Sequence, residues 1–191
     1  GGGKTEAYLG LAAYTMVLRR LQGVIEGRAG EQGVAVLMRY TLRLLTVQQY
    51  QRAAALVCAL EWLRRQAIAD GNVALGHTPF RIGLWVGAST TPNSTNESGD
   101  SVASARRQHG EYHGAHALQL TRCPWCGAKL SLRSDVKVEP YAKGRARTVI
   151  SCSDPQGACP FTQARSPGEG LPLLAVDEEI YRNLPALLIA T

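Results

Sequence analysis

Two pairs of cysteines carry the plainest chemistry in this chain. Cys123-Pro-Trp-Cys126-Gly sets two thiols two residues apart and follows them with a glycine. Two thiolates at that spacing chelate one tetrahedral ion, and the glycine permits the tight turn that aims backbone N–H groups at sulfur. Cys152 and Cys159 supply a second pair with six residues between them; that loop contains Asp, Pro and Gly and can fold back. Four thiolates close the coordination sphere of Zn²⁺, so the expected role is structural, without metal catalysis. A redox Cys-x-x-Cys or an iron–sulfur cluster would use the same residue types. Cys58 stands alone in an apolar helical stretch and reads as a buried core thiol. No export signal opens the chain, so closely paired cysteines point to metal before disulfides.

The second chemical feature is Gly1-Gly2-Gly3-Lys4-Thr5, followed at once by a helical pattern. This is the latter half of a Walker A phosphate loop. Gly1, Gly2 and Gly3 let backbone N–H groups close around a phosphate, and a helix N-terminus adds its dipole. Lys4 would reach the β/γ-phosphates of ATP, and Thr5 would ligate Mg²⁺. The motif's first glycine and the strand before it would precede Gly1. With no initiator methionine, the chain is expected to be cut from something longer. The missing strand would remove about five buried apolar residues at roughly 1.5–3 kcal/mol each, comparable with the roughly 5–15 kcal/mol that holds a domain together. Marginal stability is therefore expected of the piece alone.

Elements must position these groups. Leu9, Ala13, Met16, Val17 and Leu21 recur at helical spacing after Thr5. Gly23–Gly33 reads as a loop. The apolar run Val34–Met38 predicts a strand buried on both faces of a parallel sheet. Thr46–Ala69 predicts a second long helix, and Arg81–Val86 a strand ending at Gly87. The order strand, helix, strand gives an α/β sheet. Ala88–His116 is polar and reads as a loop, with a short helix at most around Ser101–Gln108. Val136–Val138 and Thr148–Ile150 predict a hairpin, and the runs Leu171–Val176 and Ala186–Ile189 return to the sheet. The resulting division is 1–90 core, 91–120 polar loop, 121–165 four-cysteine insertion and 166–191 return to the core.

Arg39-Tyr-Thr-Leu-Arg-Leu-Leu-Thr-Val-Gln-Gln49 resembles motif Ia of superfamily 2 helicases, with Arg43, Leu45 and Gln48 on matching types. Thr41 stands where that motif has Pro, Leu42 where it has Thr, and Leu44 where it has an acid. A plain helix start capped by Thr41 or Thr46 is the other reading. Ile82–Ser89 resembles the next helicase strand, and Leu187-Leu-Ile-Ala-Thr191 the strand ahead of the DExx box. Taken with Gly-Gly-Gly-Lys-Thr-Glu-Ala-Tyr, the cysteine module and Val176-Asp-Glu-Glu-Ile-Tyr-Arg-Asn-Leu-Pro185, the set is similar to the large helicase subunit of DISARM antiphage defence systems. The resemblance implies a RecA-like P-loop fold with a zinc-ribbon-like insertion. It also implies nucleic-acid contacts by Thr41, Arg43, Gln48 and Thr191, with DNA favoured over RNA, and protein partners in a defence complex. A cytoplasmic location is expected.

Leu173–Glu178 also fits a Walker B strand, with Asp177 for Mg²⁺ and Glu178 to polarise water. Against this, Asn183-Leu-Pro185 breaks the chain where a longer helix should follow, so the true carboxylates are expected after Thr191 and the fragment alone is expected to be inactive. Lys137, Lys143, Arg145 and Arg147 could meet phosphate or form a solvated hairpin tip. His109, His113 and His116 read as a surface segment more readily than a second metal site. Trp125 is expected to pack on the module rather than on a base. The net charge of +6 suits a phosphate-rich partner, and no apolar run is long enough to span a membrane. Three readings of function remain: an ATP-driven nucleic-acid motor, a nucleotide-dependent switch or other non-motor P-loop enzyme whose zinc module binds protein, or a bare zinc-ribbon binding module attached to a degenerate ATPase.

Overall fold

The computed structural model describes residues 3–41, 43–141 and 145–191, with backbone alone at 43–45. Gly1, Gly2, Leu42, Lys143 and the side chain of Arg43 lie outside the described residues. The chain opens with helix α1 (Lys4–Leu21), followed by a short antiparallel pair, β1 (Val24–Ile25) and β2 (Arg28–Ala29). Then come β3 (Val36–Arg39), helix α2 (Arg43–Ala69), β4 (Ile82–Trp85) and helix α3 (Thr95–Arg107). The antiparallel hairpin β5 (Val136–Tyr141) and β6 (Arg145–Ile150) precedes β7 (Leu173–Leu174), α4 (Asp177–Asn183) and β8 (Leu187–Ala190).

Four strands form one parallel sheet in the order β3-β8-β4-β7. The last strand in sequence thus inserts between the two earliest long ones. Gly83 makes room for its approach, since an added Cβ there would lie 2.8 Å from Pro185 Cγ and 2.9 Å from Leu188 Cδ1. α2 lays Tyr50, Ala53, Ala54, Val57 and Cys58 into the core shared with Phe80, Ile82, Leu84, Leu187 and Ile189. Burial also pushes the Cys58 thiol well above its usual pKa, as suits an inert core group.

β3 departs from expectation. It is an edge strand rather than one buried on both faces, and Leu37 is 62% exposed. α1 is likewise apolar beyond its core stripe: Ala12 and Met16 are buried, whereas Tyr8, Leu11, Tyr14 and Leu21 are exposed.

The polar stretch after β4 also differs. It forms a thirteen-residue helix where at most a short one at Ser101–Gln108 was expected. Ser94 caps it by accepting from Glu97 N at 3.2 Å, and Glu97 reaches back to accept from Asn93 N at 2.8 Å. Its inner face is small rather than oily: Ser98, Ser101, Val102 and Ala105 are buried, and the hydroxyls are satisfied locally. Ser101 donates to Ser98 O at 2.8 Å, and Thr148 Oγ1 of β6 lies 2.9 Å from Ser98 Oγ. A buried hydroxyl with a partner costs little, so a serine-rich helix can pack on a sheet.

The hairpin is moored to the parallel sheet by ions. Glu169 accepts from Arg81 at 3.0 Å and from Arg147 at 2.5 Å. Arg147 is 1% exposed, so it is a core ligand of Glu169 and not part of a basic surface at the hairpin tip. Lys137 bonds Gln163 Oε1 at 2.7 Å, and Arg145 is exposed. Among the described residues no helix is long and apolar enough to cross a membrane.

Candidate functional site

Parallel strands all point one way, so the residues that follow them collect at one edge. Thr41 follows β3, Gly87–Ser89 follow β4, Val176–Asp177 follow β7 and Thr191 follows β8. Gly87 turns the chain with φ +85°, and Thr90 N and Thr91 N donate to its carbonyl. Thr191 N donates to Trp85 O at 3.2 Å, which fixes its backbone while the residue stays exposed. Thr41 and Gln48 are exposed as well.

α1 runs against β3, so its N-terminus reaches the same edge. Arg19, late in the helix, donates to Val34 O before β3, whereas Tyr8, early in the helix, lies close enough to act on Tyr40 just past β3. Lys4 is exposed in the first turn, Thr5 is half-buried, and Gly3 caps the helix in the left-handed region at φ +65°. Lys4, Thr5, Thr41 and Thr191 therefore share the carboxyl side of the sheet. Gln48 lies in α2, almost two turns beyond Thr41.

Asp177 and Glu178 already have partners. Trp85 Nε1 donates to Asp177 Oδ2 at 3.2 Å, and burial raises the Asp177 pKa. Glu178 accepts from Thr95 N at 3.0 Å and Thr95 Oγ1 at 3.1 Å, holding the start of α3, and pairs with Arg182 at 3.3 Å. These contacts tie α4 to β4 and α3.

The four cysteines converge. Every pair of sulfurs lies within 4.8 Å, with Cys126 to Cys152 at 3.5 Å and Cys123 to Cys159 at 4.0 Å. Zn–S bonds near 2.3 Å at tetrahedral angles put sulfurs about 3.8 Å apart, so the cluster has the dimensions of a metal cage. Two turns build it. Gly127, at φ +78°, donates to Cys123 O, and Cys123 N donates to Ala128 O, closing the first pair. Asp154 accepts from Gln156 N, Ala158 N and Cys159 N at 3.1, 2.8 and 2.9 Å, folding the wide second pair inward. Burial pushes Cys159 up to about 12 and raises Cys152 too. Burial also raises Cys126, but the Ala128 N–H and neighbouring thiols outweigh it and hold this exposed thiol low. A cation amid the sulfurs would reverse the first two shifts. Among the described residues these four are the group that could hold a metal ion; His109, His113 and His116 do not join one.

The metal cage and the core are joined by aromatic packing. Trp125, between the first two cysteines, meets Trp62 of α2 with ring centroids 5.6 Å apart and Phe161 at 5.8 Å. Sequence reasoning missed Trp62 and Arg65 here. Trp62 reads with the leucines on one side of the long helix and does pack against the core, but nothing in the sequence links it or Arg65 to the cysteines.

No protein-family model matches the chain. Over 195 residues it is 35% identical to the DISARM protein DrmA of Bacillus paralicheniformis, with all of this chain covered. The chain spans 16% of that protein's length. The resemblance to the DISARM subunit read from the motifs is thereby borne out.

Proposed function

We propose, from the premise that the chain is homologous end to end with a segment of the DISARM protein DrmA, that it is part of an ATP-dependent helicase or translocase acting on DNA in phage defence. On this reading residues 1–90 and 166–191 belong to a RecA-like P-loop core, 91–120 connect, and 121–165 form a zinc-bound insertion. The observation that carries it is the shared carboxyl edge, which brings the N-terminus of α1 together with Thr41 and Thr191. Nucleotides and strands bind at such edges in open α/β sheets.

The residues then take distinct roles. Gly1–Gly3 and the first turn of α1 would cradle phosphate, Lys4 would neutralise β/γ charge, and Thr5 would hold Mg²⁺. Thr41, Arg43, Gln48 and Thr191 would meet the strand. Glu178 is occupied structurally, Asp177 is held through one oxygen by Trp85, and the helix after β7 runs only seven residues, so on this reading the carboxylates that hold Mg²⁺ and orient water would come from the rest of the parent protein. So would a strand to cover the open edge of β3. An open strand edge with Leu37 exposed, beside an α1 whose Tyr8, Leu11 and Tyr14 are exposed, is what such a neighbour would cover. Zinc, held by Cys123, Cys126, Cys152 and Cys159, would be structural.

The test is ATP hydrolysis by the full-length parent with and without single-stranded DNA. Stimulation that vanishes with Lys4→Ala is expected. Hydrolysis indifferent to nucleic acid would overturn the motor and favour a P-loop switch whose zinc module binds protein.

A further inference from the structure

Beside the cysteine cluster lies a cleft of about 490 Å³, lined by Trp62, Arg65, Gln66, Trp125, Ala158, Pro160 and Arg165. That volume falls in the roughly 300–1,000 Å³ range of ligand clefts. Its chemistry is one-sided. It has two indoles, two guanidinium groups and an amide, and among the described residues no carboxylate lines it. The indoles are tilted by 36° rather than stacked face to face, and Trp125 remains 38% exposed. Arg65 donates through Nε to Glu61 Oε1 at 2.8 Å and lies 5.1 Å from the Phe161 ring centroid, so its direction is fixed. Glu61 is shared with Arg64, which leaves the trio net positive. Arg165 is exposed, as is Gln66; it is anchored through Nε to Gly157 O at 2.8 Å and lies near enough to Asp154 to act on its charge. Trp62 and Phe161 pack against the Trp125 ring.

We propose that this cleft binds single-stranded nucleic acid, taking an unpaired base against Trp125 and Trp62 while Arg65 and Arg165 meet the adjoining phosphates. The proposal rests on the nucleic-acid motor reading and assigns it a second contact surface, away from the sheet's carboxyl edge. Stacking on aromatic rings is tolerant of sequence, because every base has a π face, and a fixed guanidinium adds phosphate attraction. A protein ligand would be better served by a cleft that also offered a carboxylate for its lysines and arginines. Here the carboxylates that act on its two arginines are already taken, Glu61 by Arg64 and Arg65 and Asp154 by three backbone N–H groups, in a chain of net charge +6.

The experiment uses the full-length parent protein and an oligothymidine carrying 5-iodouracil. Irradiation followed by peptide mapping should place an adduct on the peptide holding Trp125 or Trp62. Arg165→Ala should weaken binding of a labelled oligothymidine several-fold and reduce its salt dependence by about one ion. Trp125→Ala should weaken binding about 5- to 100-fold, and Trp125→Phe should restore most of it with metal content unchanged. Adducts that map elsewhere, with Arg165→Ala binding like wild type, would overturn the inference while DNA-stimulated ATP hydrolysis kept the motor reading intact. Variants that bind DNA normally but lose a co-purifying subunit would also overturn it, making the cleft a protein surface. Loss of both DNA binding and DNA-stimulated hydrolysis in the wild type would sink the motor reading and this inference together.

Discussion

Around the metal cage, Trp125 lies against Trp62 and Phe161, and Asp154 satisfies three backbone N–H groups of the wide loop. Along α1 and β3, by contrast, Tyr8, Leu11, Tyr14 and Leu37 stand exposed beside an open strand edge. The first region closes on itself through non-local contacts, with the second pair of cysteines and Phe161 returning to the first pair and to α2. The second presents apolar surface of the kind that marks a contact. The difference separates what these residues stabilise by themselves from what, on the proposed reading, the larger protein supplies.

The comparison can be broken most severely at the cage. Cys152→Ser should abolish stoichiometric metal binding and destabilise the chain by about 4 kcal/mol or more, since metal binding to such sites is folding energy. Metal analysis and thermal melts check this, and an unchanged melting temperature would mean that the module folds without its ion. Next comes the mooring ion. Glu169→Ala leaves Arg81 and Arg147 buried without their counter-charge and should cost about 3–5 kcal/mol. Burial pushes the Glu169 pKa up, but the Arg147 and Arg81 charges outweigh it and hold it below the usual range. A depressed carboxylate contributes stability that is present above its unfolded pKa near 4.5 and is lost as pH falls through the lower folded value. Denaturant titrations between neutral pH and pH 3 should therefore show a steeper acid loss in wild type than in Glu169→Gln.

Smaller effects sharpen the contrast. Ser94→Ala removes the cap of α3 and should cost about 1 kcal/mol in the same denaturant assay. Leu37→Ser should stay within about 0.5 kcal/mol in the 191-residue chain, because the side chain is already in water. In the full-length parent the same change should be distinctly more costly. Equal effects in both would mean that nothing covers β3.

Much of this was legible in the sequence. The cysteine pairs, the apolar runs that became β3, β4, β7 and β8, and the hairpin at 136–150 all have local signatures. The signals that failed were those that local pattern cannot hold. α3 buries serines instead of leucines, so its inner face looked like loop, although Ser94 and Glu97 formed a capping pair in plain view. Arg147 looked like one of four surface cations, but its side chain finds Glu169, twenty-two residues on, inside the fold. The run Val34–Met38 looked doubly buried because periodicity reports hydrophobicity, not which neighbour covers it. Trp62 meets Trp125 across sixty-three residues, and no spacing rule links them.

The central claim is that these residues belong to a motor driven by ATP along DNA. The most direct measurement is displacement of streptavidin from biotinylated single-stranded oligonucleotides by the full-length parent protein. The account predicts ATP-dependent displacement from one end, abolished by Lys4→Ala with metal content unchanged. Hydrolysis of ATP without displacement from either end would contradict it.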